Sequence, residues 1–82
     1  MEKKYKLLRH LTSDKAILEK SSELFLASYA DVLFSGGPEV LVFPCDAYGK
    51  VTDWSEVDGG RGYKSLQAFL DIYSTPTTFV TL

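Results

Sequence analysis

The chain has 82 residues, 45% of them hydrophobic and 24% charged, with a net charge of −2. That length holds one domain, 1–82, and the composition is that of a folded chain and excludes disorder as its resting state. A single cysteine excludes an internal disulfide and points to a reducing, cytoplasmic setting.

Taken in chain order, residues 4–11 alternate, with Lys4, Lys6 and Leu8 on one side and Tyr5, Leu7 and Arg9 on the other. This predicts a first strand with a lysine-bearing solvent side, although Leu7, Leu8 and Leu11 also fit helical spacing. Thr12-Ser13-Asp14 supplies short side-chain oxygens suited to the first N–H groups of a helix. From Asp14 to Phe34 there is no glycine or proline. Ile17, Leu18, Ser21, Leu24, Phe25, Ser28 and Val32 recur at three- and four-residue spacing, which predicts an amphipathic helix of about five to six turns. Ser35-Gly36-Gly37-Pro38 ends it.

Residues 39–45 are apolar on both faces and predict an interior strand, with Pro44 at a bulge, an end or an unpaired edge. Asp46-Ala47-Tyr48-Gly49 has turn chemistry, and Val51–Trp54 is the expected return strand. Ser55–Gly62 is polar and glycine-rich, hence a loop. Leu66, Phe69, Leu70 and Tyr73 form one stripe of a second helix over Tyr63–Tyr73, and Thr77–Leu82 is a β-branched final strand. The order β-α-β-β-α-β predicts fold class α+β. The expected architecture is a sheet of three to four strands with two helices, in a ferredoxin-like pattern.

The segment Phe43-Pro44-Cys45-Asp46-x-x-Gly49-x-Val51 resembles a group of short uncharacterised bacterial proteins carried on plasmids, prophages and other mobile elements. The likeness extends to Leu7–Thr12, to Tyr29-x-Asp31-Val32-Leu33-Phe34 and to the Arg61-x-Tyr63 region. Those proteins have an entry to the second helix richer in Arg and Asn than Gly59-Gly60-Arg61-Gly62. The resemblance implies a biological context and no established activity.

Several groups invite chemistry. Cys45 with His10 has the composition of a thiolate–imidazole pair, but Asp46 beside the cysteine disfavours the thiolate, and a packed thiol is the better reading. Asp46, Asp53, Glu56 and Asp58 are oxygen donors without the spacing of a calcium loop, and one cysteine with one histidine is too few for structural zinc. No metal or cofactor is therefore expected. Gly59-Gly60-Arg61-Gly62 ahead of a helix suggests an anion cradle, yet lacks a phosphate-loop motif.

Residues 1–10 hold Lys3, Lys4, Lys6 and Arg9 against Glu2, whereas the remainder carries five basic and ten acidic groups. So small a basic segment argues against nucleic acid. No run reaches the roughly 18 apolar residues of a membrane span, and no apolar stretch follows the N-terminal charges as in a signal peptide.

Eleven aromatic residues are many for so small a core, and they predict self-association. Tyr48 at a turn tip and Trp54 at a strand end fit an interface as well as they fit a core. With Asp53, Glu56, Asp58, Arg61 and Tyr63 they make the expected contact surface. The leading expectation is a small non-catalytic binding or regulatory protein that forms a homo-oligomer and docks on a protein partner. The competing one is a ligand-binding domain or enzyme with a pocket near Arg61, His10 and Cys45.

Overall fold

The computed structural model describes residues 4–32 and 37–75. Strands β1 (Tyr5–Thr12), β2 (Lys15–Lys20), β3 (Glu23–Val32), β4 (Gly37–Pro44) and β5 (Asp58–Arg61) are followed by helix α1 (Leu66–Tyr73) and the two-residue strand β6 (Ser74–Thr75). They form one sheet in the order β5-β4-β3-β2-β1-β6. Every pairing is antiparallel except that of β6, which runs parallel to β1. The sheet curls into a half-barrel.

The α+β expectation is thus overturned, and with it the ferredoxin-like pattern of two helices: the chain is mainly β, with one short helix among the described residues. The error lies in Asp14–Phe34, whose described part is the β2–β3 hairpin and not a helix. Both faces of these strands are covered, so apolar residues fill consecutive positions and no clean alternation shows. Ala16 and Leu18 face α1, and Ile17 between them packs with Leu26 and Cys45 on the other side. A continuous apolar run of this kind meets helical spacing by default. Lys20 pairs with Glu23 across a two-residue turn, Ser21-Ser22, with φ of 54° and 66°. That is the left-handed pair which hairpins usually give to Asn and Gly, so the turn carries no sequence signal. Thr12-Ser13-Asp14 makes the preceding hairpin turn, in which the Asp14 N–H donates to Thr12 Oγ1 at 3.1 Å.

The first strand lies at Tyr5–Thr12 and the interior strand at Gly37–Pro44, with Pro44 at its end. Val51–Trp54 is no strand: its pairing is the isolated bridge between Cys45 and Val51. Part of the expected loop 55–62 is strand β5. The second helix starts at Leu66 rather than Tyr63, with Ser65 as its cap. The expected strand Thr77–Leu82 lies outside the described residues.

The core sits on the inner face. Tyr5 and Leu7 from β1, Ala16 and Leu18 from β2, Phe25 and Ala27 from β3, and Val40 and Val42 from β4 pack beneath Leu66, Phe69 and Leu70 of α1. Burying a large apolar side chain contributes about 1.5–3 kcal/mol, so this helix stripe is what holds the half-barrel filled. A second cluster on the outer face joins Ile17, Leu26 and Cys45, flanked by Leu8, Leu24 and Val51.

The curl brings distant strands together. Following the register from Asp58 through Val42, Ala27 and Ala16 leads to His10. Yet the Tyr5 hydroxyl, five residues earlier on β1, donates to the Asp58 carboxylate at 2.7 Å. This offset is the strand tilt that a closing sheet requires.

Candidate functional site

Beyond β4 the chain leaves the sheet for thirteen residues and carries most of the expected contact residues. Asp46 organises the turn: its Oδ1 accepts from the N–H groups of Tyr48 and Lys50, each at 2.9 Å, and its carbonyl accepts from Gly49 N–H at 3.0 Å. The turn rests on the outer face. Arg9 Nη2 donates to the Ala47 carbonyl at 2.8 Å, and the side chains of Leu11 and Ile17 lie where a Cβ on Gly49 would project. Tyr48 is left 85% exposed.

The chain then returns along β4. Thr52 N–H donates to the Pro44 carbonyl and Val57 N–H to the Val42 carbonyl, both at 2.9 Å. Between these anchors the Trp54 ring meets Phe43 edge to face, with centroids 5.4 Å apart, and remains 76% exposed. Asp53 accepts from Ser55 N–H at 2.9 Å; this bond, with the Ser55 hydroxyl, holds its carboxyl below the usual range. Glu56 and Val57 are exposed. The contacts tie the Asp46–Gly49 turn to Arg9 of β1 and the Trp54 ring to Phe43 of β4, so Tyr48 and Trp54 stand on differently anchored stretches.

The remaining expected contact residues serve the fold. Asp58 accepts from Tyr5, pairs with Lys4 Nζ at 2.6 Å, and accepts from Gly59 N–H at 2.8 Å. Burial pushes its carboxyl up, but the bonds from Lys4, Tyr5 and Gly59 outweigh that and hold it below the ordinary carboxylate range. Tyr5 responds in the opposite sense: burial, then the Asp58 bond and charge, push its phenol well above the ordinary value. Arg61 Nε lies 3.6 Å from Glu39 Oε2 on β4. Tyr63 donates to the Tyr73 hydroxyl at 3.2 Å and meets Phe69 edge to face, lying over Gly60 where a Cβ would come within 2.9 Å of its ring.

The competing pocket is not assembled. Arg61 pairs opposite Glu39, six residues along β4 from Cys45, or about 20 Å at strand rise. His10 is exposed on β1. Cys45 is 8% exposed, and burial, reinforced by the Asp46 charge, pushes its thiol up, which opposes nucleophilic use. The glycine segment is no cradle either. Gly59 and Gly60 pair with Leu41 and Val40, and Gly62 N–H donates to the Pro38 carbonyl. Among the described residues no three His, Cys, Asp or Glu side chains gather where a metal ion could be held. Of the basic group, Lys3 lies outside the described residues, Lys4 is engaged by Asp58 and Arg9 by Ala47, and Lys6 and His10 are exposed.

The Tyr5–Asp58 contact is the feature that sequence reading missed. The partners are 53 positions apart, and Lys4 reads as one of several solvent-facing cations. Only the curl of the sheet joins them, and curl has no local signature.

No family model, curated protein or solved structure matches the chain. No helix among the described residues is long and apolar enough to cross a membrane.

Proposed function

We propose that the protein is a non-catalytic binding module whose contact surface is centred on Trp54, with Asp53 and Glu56 beside it. The single observation that carries this reading is Trp54, a tryptophan three-quarters exposed on a segment tied to β4 at both ends. Exposing so large an apolar ring to water is unfavourable, and rigid aromatic side chains are the usual anchors of protein interfaces. The chemistry around the ring selects the partner. From Thr52 to Gly60 there is no basic residue, and the Asp53 and Glu56 carboxylates make no ion pair among the described residues. An indole flanked by carboxylates suits a lysine or arginine of a partner protein, through a cation–π contact and charge.

Association of copies fits the same surface, because Lys6, exposed on β1, offers a cation to the acidic segment of another copy. Cytoplasmic location and a host protein as target complete the proposal. The likeness of residues 43–51 to proteins of mobile elements adds context to it and no chemistry, since Pro44, Cys45 and Asp46 act in the fold.

Trp54→Ala, Asp53→Asn with Glu56→Gln, and Tyr48→Ala provide the test. A photo-crosslinking residue at position 57, an exposed site beside Glu56, should trap a basic partner or a second copy. Trp54→Ala should reduce trapping at least tenfold, with unchanged circular dichroism. Because Tyr48 is anchored elsewhere, Tyr48→Ala should have the smaller effect. Trapping that survives Trp54→Ala and the double carboxylate variant would refute the assignment.

A further inference from the structure

Asp58, Tyr5 and Lys4 join elements that the sheet's own ladder does not. Three strands separate β1 from β5. With four residues, two of them glycine, β5 has little side-chain mass to anchor it. Segment 52–57, which carries Trp54, ends directly on Asp58. One carboxylate therefore stands where the last edge of the half-barrel begins and where the Trp54 segment stops.

We infer that Asp58, Tyr5 and Lys4 form a latch that closes the seam between β1 and β5 and fixes the Trp54 segment against β4, so that breaking it frees β5 and that segment while β1–β4 stay folded. The latch itself stands on geometry. Only its consequence for partner capture rests on the binding reading above.

The surroundings support it. Three donors converge on a single carboxylate, and Tyr5 is 4% exposed, so its hydroxyl has little water to turn to when Asp58 is removed. The Tyr5 ring is held edge to face against Phe25, which aims the hydroxyl before the bond is made. Charged and titratable groups face the latch from each neighbouring element. Lys4 and Tyr5 come from the β1 end, and Lys20 of β2 has its Nζ 5.9 Å from the Tyr5 ring centroid. Tyr63, just beyond β5, has a phenol that senses the Asp58 charge. Lys4 favours the carboxylate form. With the Asp58 carboxyl held low, the latch is complete above the ordinary carboxylate value of about 3.9 and is lost as pH falls through its lower folded value. At neutral pH it is closed, and removing the charge by substitution is the way to open it.

Amide hydrogen exchange at neutral pH is the test, on Asp58→Asn and on the milder Tyr5→Phe, with Asp53→Asn as a control in the same segment. Exchange at Gly60 and Gly62 should accelerate at least tenfold in Asp58→Asn and a few-fold in Tyr5→Phe, while Ile17 and Leu26 stay at wild-type rates. Fluorescence anisotropy of Trp54 should fall in both latch variants and hold in the control. Wild-type rates at Gly60 and Gly62 in both latch variants would overturn the inference. So would acceleration of Ile17 and Leu26 in step with them, because the seam would then open only with the whole fold. If the segment is freed but crosslinked partner is undiminished, the latch stands and the binding surface is wrong.

Discussion

Two glycines, three positions apart, face opposite steric situations. Gly59 has φ of +138°, and a Cβ there would collide with the Val40 carbonyl oxygen. Gly62 has φ of +87°, with nothing within 4 Å of where a Cβ would stand. Gly62→Ala therefore meets only the left-handed backbone cost, about 1 kcal/mol. Gly59→Ala adds a clash with backbone that cannot swing aside, and should cost about 3 kcal/mol or more. Urea unfolding of the two variants measures the difference; equal losses would show that backbone angle alone governs both. Ser21 and Ser22 invite the reverse change. Each holds a positive φ without being glycine, so Ser22→Gly should raise stability by about 0.5 kcal/mol after the added freedom of the unfolded chain is deducted. A loss would mean that the serine side chain contributes to the turn.

At the scale of elements, legibility tracked how local the determining forces are. The Asp46–Gly49 turn was readable because one side chain builds it, and Leu66, Phe69 and Leu70 were readable because one helix face alone is buried. The β2–β3 hairpin was not, since burial on both faces erased the alternation and serines replaced the usual turn residues. Strand β5 was hidden for another reason: Asp58-Gly59-Gly60-Arg61 has poor strand propensity, and β4 recruits it through close approach at Gly59. Among the expected contact residues, the exposed Tyr48 and Trp54 could be singled out by type. The structural work of Asp58, Arg61 and Tyr63 could not, because their partners lie on other elements. The turn makes its own prediction. Asp46→Ala removes the acceptor for two N–H groups and should cost about 1–2 kcal/mol. Exchange should quicken at Tyr48 and Lys50 while Gly60 is unaffected. Acceleration at Gly60 as well would show that the turn and the β5 edge open as one unit.

For the molecule as a whole, the seam sets how stability responds to base. The Tyr5 phenol is raised by burial first and then by the Asp58 bond and charge; the Tyr63 phenol is raised first by its bond with Tyr73, then by burial. A raised folded value means that the native state holds the proton more tightly than the unfolded chain does. The associated stability is thus fully present below the ordinary tyrosine value of about 10 and is lost as pH climbs through the higher folded value. Urea midpoints measured from pH 8 upward should stay level to about 10 and then fall. Tyr5→Phe should be less stable at pH 8, because the Asp58 carboxylate loses a donor, yet should decline less steeply above 10. Tyr63→Phe should flatten the decline to a smaller degree, since that ring is only half-buried. A Tyr5→Phe profile parallel to wild type above pH 10 would place the alkaline transition elsewhere, and Tyr5 would then be a packing residue whose hydroxyl bond adds little. A flattened profile would show that ionising the Tyr5 phenol, which costs Asp58 its donor, is what loosens the half-barrel in base.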